Sequence, residues 1–118
     1  AFTPTCHSAH VPSFIRTKEA LAAKGVDEVI CVAVNDPFVM KAWGEATGAS
    51  AAGIAMLSDG AGDFTKAIGQ TIEQPGSWVG GRSKRYALMA EDGVVKVWHP
   101  ETGMGCEISG GAAMLDAL

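Results

Sequence analysis

No run of lysines and arginines, no apolar stretch approaching the length of a membrane span and no C-x-x-C pair occurs in this 118-residue chain, and each absence closes off a class of function. With 13 acidic against 9 basic residues, a net charge of −4 and no basic patch, neither a nucleic acid nor a membrane surface is an expected partner. A dithiol oxidoreductase would want the missing C-x-x-C. Cysteine itself is scarce: Cys6, Cys31 and Cys106 are too few and too scattered for a secreted disulfide framework. That usage points to a reducing compartment, the cytoplasm, and leaves an organellar targeting segment ahead of Ala1 open. Aromatic residues make up only 7% of the chain, and Trp43, Trp78 and Trp98 read as core or interface residues rather than a nucleotide platform. Gly80-Gly81-Arg82 lacks the strand-to-helix context of a phosphate loop.

What is present is an ordinary globular composition, 47% hydrophobic and 19% charged, which predicts one domain over residues 1–118. Val11, Phe14, Ile15, Leu21 and Ala22 recur at helical spacing, so a helix is expected from near Cys6 to Lys24, ended by Gly25 in the left-handed conformation. The apolar, β-branched run Glu28 to Val34 suits a strand buried on both faces. Asp36 then caps a helix with Pro37 at its first position, and Phe38, Val39, Ala42, Trp43 and Ala46 give its apolar stripe. A short strand at Ile54 to Leu57 and a short helix at Asp63 to Ile68 follow. Arg85 to Ala90 and Val94 to Trp98 flank Glu91-Asp92-Gly93, a hairpin signature, and Ala112 to Leu118 closes the chain as a short helix.

Cys6 is the residue with the clearest chemical position. A thiol in the first turn of a helix meets unpaired backbone N–H groups and the positive end of the macrodipole, and both favour thiolate. By position alone, Cys6 reads equally well as a nucleophile or as a small buried apolar residue. Cys6, His7 and His10 could also be imagined as metal ligands, but no fourth ligand follows at a recognisable spacing and His99 is isolated.

The run AFTPTC, with His10, Val11, Pro12 and Phe14 behind it, resembles the active-site loop and first helix of the type II (atypical two-cysteine, peroxiredoxin-5-like) peroxiredoxins. The resemblance extends through Val34 to Gly44 (VNDPFVMKAWG), Leu57-Ser58-Asp59-Gly60 and Arg82-Ser83-Lys84-Arg85-Tyr86, and so covers the whole chain. It implies an α/β, thioredoxin-like fold with a central mixed sheet flanked by helices. The family's leading proline and first strands would fall before Ala1, so those strands are expected to be missing from this sequence. If the polypeptide starts at Ala1, the strand carrying Cys31 is expected to expose an apolar edge.

By the same resemblance Cys6 matches the peroxidatic cysteine, Thr3 the threonine whose hydroxyl holds the peroxide, and Arg85 an arginine brought in from distant chain. The backbone N–H groups of Thr5 and Cys6 match those that polarise the peroxide oxygen. The implied activity is thiol-dependent reduction of hydrogen peroxide and alkyl hydroperoxides through a sulfenic acid on Cys6, with no metal, haem or flavin. Cys31 matches the second cysteine of the plant-like members, and Cys106 lies near the resolving cysteine of the animal-like ones, displaced by two residues. An inert core thiol is the competing account of Cys31, and glutathione, glutaredoxin or thioredoxin would serve as external reductant. His10 is expected to be structural, hydrogen-bonding near the loop. A homodimer is implied, with Asn35 to Phe38 and the active-site loops near the contact. The alternative from another class is a catalytically inactive thioredoxin-fold binding or regulatory module.

Overall fold

Phe2 turns the chain into its first helix with a φ of 61°, a left-handed conformation that a bulky residue adopts only under constraint. A π-helical turn over Cys6–His10 then runs into α1, Val11–Ala23. Pro12 gives a physical reason for the widened turn. It has no N–H, and in a regular α-helix its ring would crowd the Ser8 carbonyl one turn back. The Val11 N–H instead reaches back five residues to the Cys6 carbonyl, which opens the helix at that point. Gly25, with φ of 94°, ends the segment as the sequence predicts. The structure is a computed structural model describing residues 1–118.

A parallel β-α-β unit follows: β1 (Ile30–Ala33), α2 (Pro37–Thr47) and β2 (Ala55–Ser58), with Cys31 opposite Met56 in the register. Asp36 caps α2 as expected, its Oδ1 accepting the Val39 N–H at 2.8 Å. The buried face of α2 is the expected one only in part: Trp43 is buried and Val39 half-buried as expected, but the face is turned away from the rest of the stripe. Met40, Trp43 and Gly44 are buried, whereas Phe38 is 82% exposed and Ala42 and Ala46 face solvent. Two stripes of helical spacing exist on this segment, and the one containing Gly44 wins because a residue without Cβ lets the helix lie close to Ser50 and Met56. Ala22 of α1 is likewise exposed, and Trp78 lies on the surface at 71% exposure with Arg82 over its ring.

After the short α3 (Asp63–Ala67), β3 (Tyr86–Glu91) and β4 (Val94–Pro100) form an antiparallel hairpin. Asp92 and Gly93 turn it with φ of 52° and 78°, the pair of positive values a tight primed turn needs. Parallel and antiparallel pairing both occur, but in two hydrogen-bonded pieces rather than one continuous sheet. No strand of this chain lies between them. β1 is therefore less covered than a strand buried on both faces, with Ile30 49% exposed.

The core has two centres. Val11, Met40, Trp43, Ala49 and Ile54 form one, against which both Cys6 and Cys31 pack. Leu21, Ala87 and Met114 form the other, which joins α1, β3 and the closing helix α4 (Gly111–Asp116). Phe14 touches both centres and so ties the Cys6 end of α1 to the hairpin. No helix is long and apolar enough to cross a membrane.

Candidate active site

Cys6 sits half-buried in the first turn of the long helical segment, against the first core cluster. The first intrahelical bond runs from the His7 N–H to the Thr3 carbonyl at 2.9 Å, and the N–H groups of Thr5 and Cys6 have no acceptor within the chain. These are the orphan donors of a helix start, and they lie beside the sulfur. Phe2 stacks on His7, with ring centroids 5.6 Å apart, and His7 Nδ1 accepts the Trp43 indole N–H at 3.0 Å. The loop is thus fastened to α2, which fixes where the thiol points.

Arg85 arrives from the other end of the chain, immediately before β3. Its Nη2 lies 3.3 Å from Cys6 Sγ, while Nη1 donates to the carbonyls of Met104 and Gly105, both at 2.7 Å. Nε is buried and has no partner. A planar guanidinium with a fixed fork of donors can hold the two carbonyls and the sulfur together, which a lysine ammonium cannot do in one plane.

The Cys6 thiol is lowered from its ordinary value of 9.0 to about 6. Burial is the largest single influence and acts the other way, pushing the thiol up; hydrogen bonds from His10, Thr3 and Arg85, together with the Arg85 charge, outweigh it. Of these donors Arg85 has the clear contact geometry. His10, the largest of the lowering influences, is held in place by its Nε2 hydrogen, donated to the Ser109 carbonyl at 2.9 Å. Cys6 is accordingly a thiolate at neutral pH, the form that acts as a nucleophile.

Among the residues expected at the site, then, Thr3, Thr5, Cys6 and Arg85 are brought together at one helix start. Cys31 lies behind them on β1, against the same apolar cluster as Cys6, and burial pushes its thiol up to about 11. Cys106 lies in the loop after β4, its Sγ 3.8 Å from Ser109 Oγ. His7 and His10 are engaged by Trp43 and Ser109 and do not form a metal-binding group with Cys6. Sequence reasoning missed Glu101, which follows β4 and gathers the backbone of residues 107–109, and it missed the reliance of Arg85 on the carbonyls of Met104 and Gly105. Neither has a local signature. A side chain that binds backbone groups several residues on leaves no periodicity to read.

Residues 1–114 match the Redoxin family model. The chain is 48% identical over 120 residues to a chloroplastic peroxiredoxin-2E-2 of rice, covering 100% of this chain and 53% of that protein. It is 44% identical over 118 residues to peroxiredoxin-2B of Arabidopsis thaliana, covering 100% of this chain and 72% of that one. Among solved structures it superposes on reduced Prx3 in complex with hydrogen peroxide from Vibrio vulnificus with a TM-score of 0.93 at 47% identity, covering 100% of this chain and 75% of the other. The sequence thus spans about half to three quarters of the length of these relatives.

Proposed function

This chain belongs to the redoxin family, among the type II peroxiredoxins, and we propose that it is a thiol-dependent peroxidase with Cys6 as its nucleophile. The observation that carries the reading is the Arg85 guanidinium 3.3 Å from a Cys6 sulfur that is already a thiolate at neutral pH. The Cys6 sulfur attacks the terminal oxygen of a hydroperoxide, the O–O bond breaks, and the other oxygen leaves as alkoxide or hydroxide and takes a proton from solvent. The sulfur becomes a sulfenic acid. Negative charge moves from sulfur to the departing oxygen, and the donors present suit both ends of that movement: Arg85 Nη2 and the free N–H groups of Thr5 and Cys6, with Thr3 supplying a hydroxyl to align the O–O axis.

The sulfenic acid is then condensed with a second thiol, releasing water, and the resulting disulfide is reduced by an external thiol. Cys106 is the better internal candidate. Cys31 is held as a thiol by burial, and the attacking species must be a thiolate. Glutathione, glutaredoxin or thioredoxin would regenerate the enzyme. The exposed Phe38 beside the Asp36 cap of α2 supports a homodimer through that face. The whole of residues 1–118 acts as one redoxin domain in this reading. The reducing compartment inferred from the cysteines is the cytoplasm, and the rice relative's chloroplastic name makes an organelle an equally suitable setting. A binding module without turnover has no use for a depressed thiol facing an arginine, so it is not favoured.

The test is the mass of the reduced protein after one equivalent of hydrogen peroxide, followed by thiol blocking and peptide mapping. The reading expects oxygen on Cys6 or a Cys6–Cys106 disulfide within seconds. No change at Cys6 would remove it.

A further inference from the structure

A single carboxylate oxygen closes the loop that holds Arg85 in place. Glu101 Oε2 accepts three successive backbone N–H groups, those of Glu107, Ile108 and Ser109, at 2.8, 2.9 and 2.7 Å. Three N–H groups converging on one anionic oxygen make a backbone nest, here filled by the chain's own side chain. The Glu101 N–H in turn donates to the Arg85 carbonyl at 3.0 Å, which fixes the base of the loop to the residue that carries the guanidinium, just ahead of β3.

Between those two anchors the loop is exposed and glycine-rich, and nothing in its own composition would hold it closed. Yet it supplies the Met104 and Gly105 carbonyls that Arg85 Nη1 binds, and at its far end the Ser109 carbonyl that His10 Nε2 binds. Glu101 makes no ion pair with Arg85. Its carboxylate is engaged by the backbone, so its influence on the sulfur runs through the loop.

We propose that Glu101 is a positioning residue: by latching residues 107–109 it holds the Met104 and Gly105 carbonyls against Arg85 and so keeps the guanidinium on Cys6. This rests on the reading of Cys6 and Arg85 given above. With the latch released, Arg85 loses two of its acceptors and swings toward solvent, His10 loses its tether, and Cys106 becomes mobile within the opened loop.

The experiment is the pH profile of Cys6 alkylation by iodoacetamide in the reduced full chain, read by peptide mass, for Glu101→Ala, Glu101→Gln, Arg85→Met and the Glu101→Ala/Arg85→Met double variant. The latch predicts that Glu101→Ala raises the midpoint by at least one pH unit, which lowers the thiolate fraction at pH 6 about fivefold. It predicts a smaller rise for Glu101→Gln, which keeps an acceptor oxygen, and no further rise when Glu101→Ala is added to Arg85→Met. Cys106 alkylation should quicken in both Glu101 variants. Should Glu101→Ala fail to fold, the Glu101→Gln profile and its Cys106 rate decide alone. An unchanged midpoint in the Glu101 variants while Arg85→Met shifts it would overturn the latch and leave the Cys6–Arg85 reading standing. So would shifts that simply add in the double variant. No shift with Arg85→Met would overturn the underlying reading and the latch with it.

Discussion

Arg85 Nη2 lies 3.3 Å from Cys6 Sγ although 79 positions separate the two residues, and the contact spans the two halves of the molecule, helix start to hairpin. Replacing Arg85 by Met removes a charge and a donor that act on the attacking sulfur and on the departing oxygen alike. Peroxide consumption followed by stopped flow should fall on the order of a hundredfold, the usual cost of losing one oriented donor at a site of developing charge. Arg85→Lys should recover part of the rate and little of the geometry, because an ammonium cannot hold both loop carbonyls and the sulfur. Equal rates for all three proteins would place Arg85 outside the chemistry.

Thr3 offers a cleaner probe of the hydroxyl, since Val has nearly its shape. Thr3 contributes to lowering the Cys6 thiol, behind burial, which opposes it, and His10. Thr3→Val should slow peroxide reaction about tenfold to a hundredfold and raise the Cys6 alkylation midpoint, while Thr3→Ser should stay close to wild type. A Val variant as fast as the Ser variant would remove the Thr3 hydroxyl from the chemistry.

The elements that could be read from the sequence are those with a local cause. Asp36-Pro37 announces the start of α2, Gly25 the end of α1 and Asp92-Gly93 the hairpin turn, because each fixes φ or satisfies a backbone donor within a few residues. Cys6 was legible chemically from its place at a helix start, and Thr3 and Arg85 only from resemblance. The face of α2 was read only in part, with Trp43 on it and Phe38, Ala42 and Ala46 off it, because apolar residues at helical spacing lie on both sides of Trp43; close approach at Gly44 decides the rotation, and that is a tertiary fact. The π turn over Cys6–His10 and the Glu101 latch were not legible at all. The first depends on where a proline ring meets a carbonyl, the second on a side chain binding backbone groups six to eight residues on.

Gly111 opens α4 where it lies on α1. A Cβ there would meet the Thr17 hydroxyl and the Ser13 carbonyl, and the Gly111 N–H is already bound to Ser13 Oγ at 2.9 Å. The hydroxyl can turn away, but the carbonyl belongs to the helix backbone and cannot. Gly111→Ala should therefore push α4 off Leu21 and Ala87, with a loss of about 1–3 kcal/mol in urea unfolding. A wild-type midpoint would mean that the two helices have room to part.

Stability should also vary with pH through the two half-buried thiols, in opposite directions. Cys6 titrates at about 6 in the folded chain against 9.0 for a free thiol, so between those values the native state holds a thiolate where the unfolded state holds a thiol. The unfolded state binds more protons there, and stability rises with pH across that window; it is lost again as pH falls through 6. Cys31 is the reverse case. Burial lifts it to about 11, so above 9 the unfolded chain ionises first and stability falls. Unfolding free energy should then pass through a broad maximum near pH 8 to 9. Because Cys6 is partly open to solvent, its limb is worth no more than about 2 kcal/mol, well under what the full shift would give in a dry interior. The check is the difference between wild type and Cys6→Ser in urea unfolding from pH 5 to 10. It should be flat below 6 and climb to about 9; above that a small residual slope is expected, because the Cys6 charge adds to the burial that raises Cys31 and is absent from the Ser variant. A difference that does not depend on pH would mean that Cys6 is an ordinary thiol in the folded state, and the nucleophile would have to be sought elsewhere.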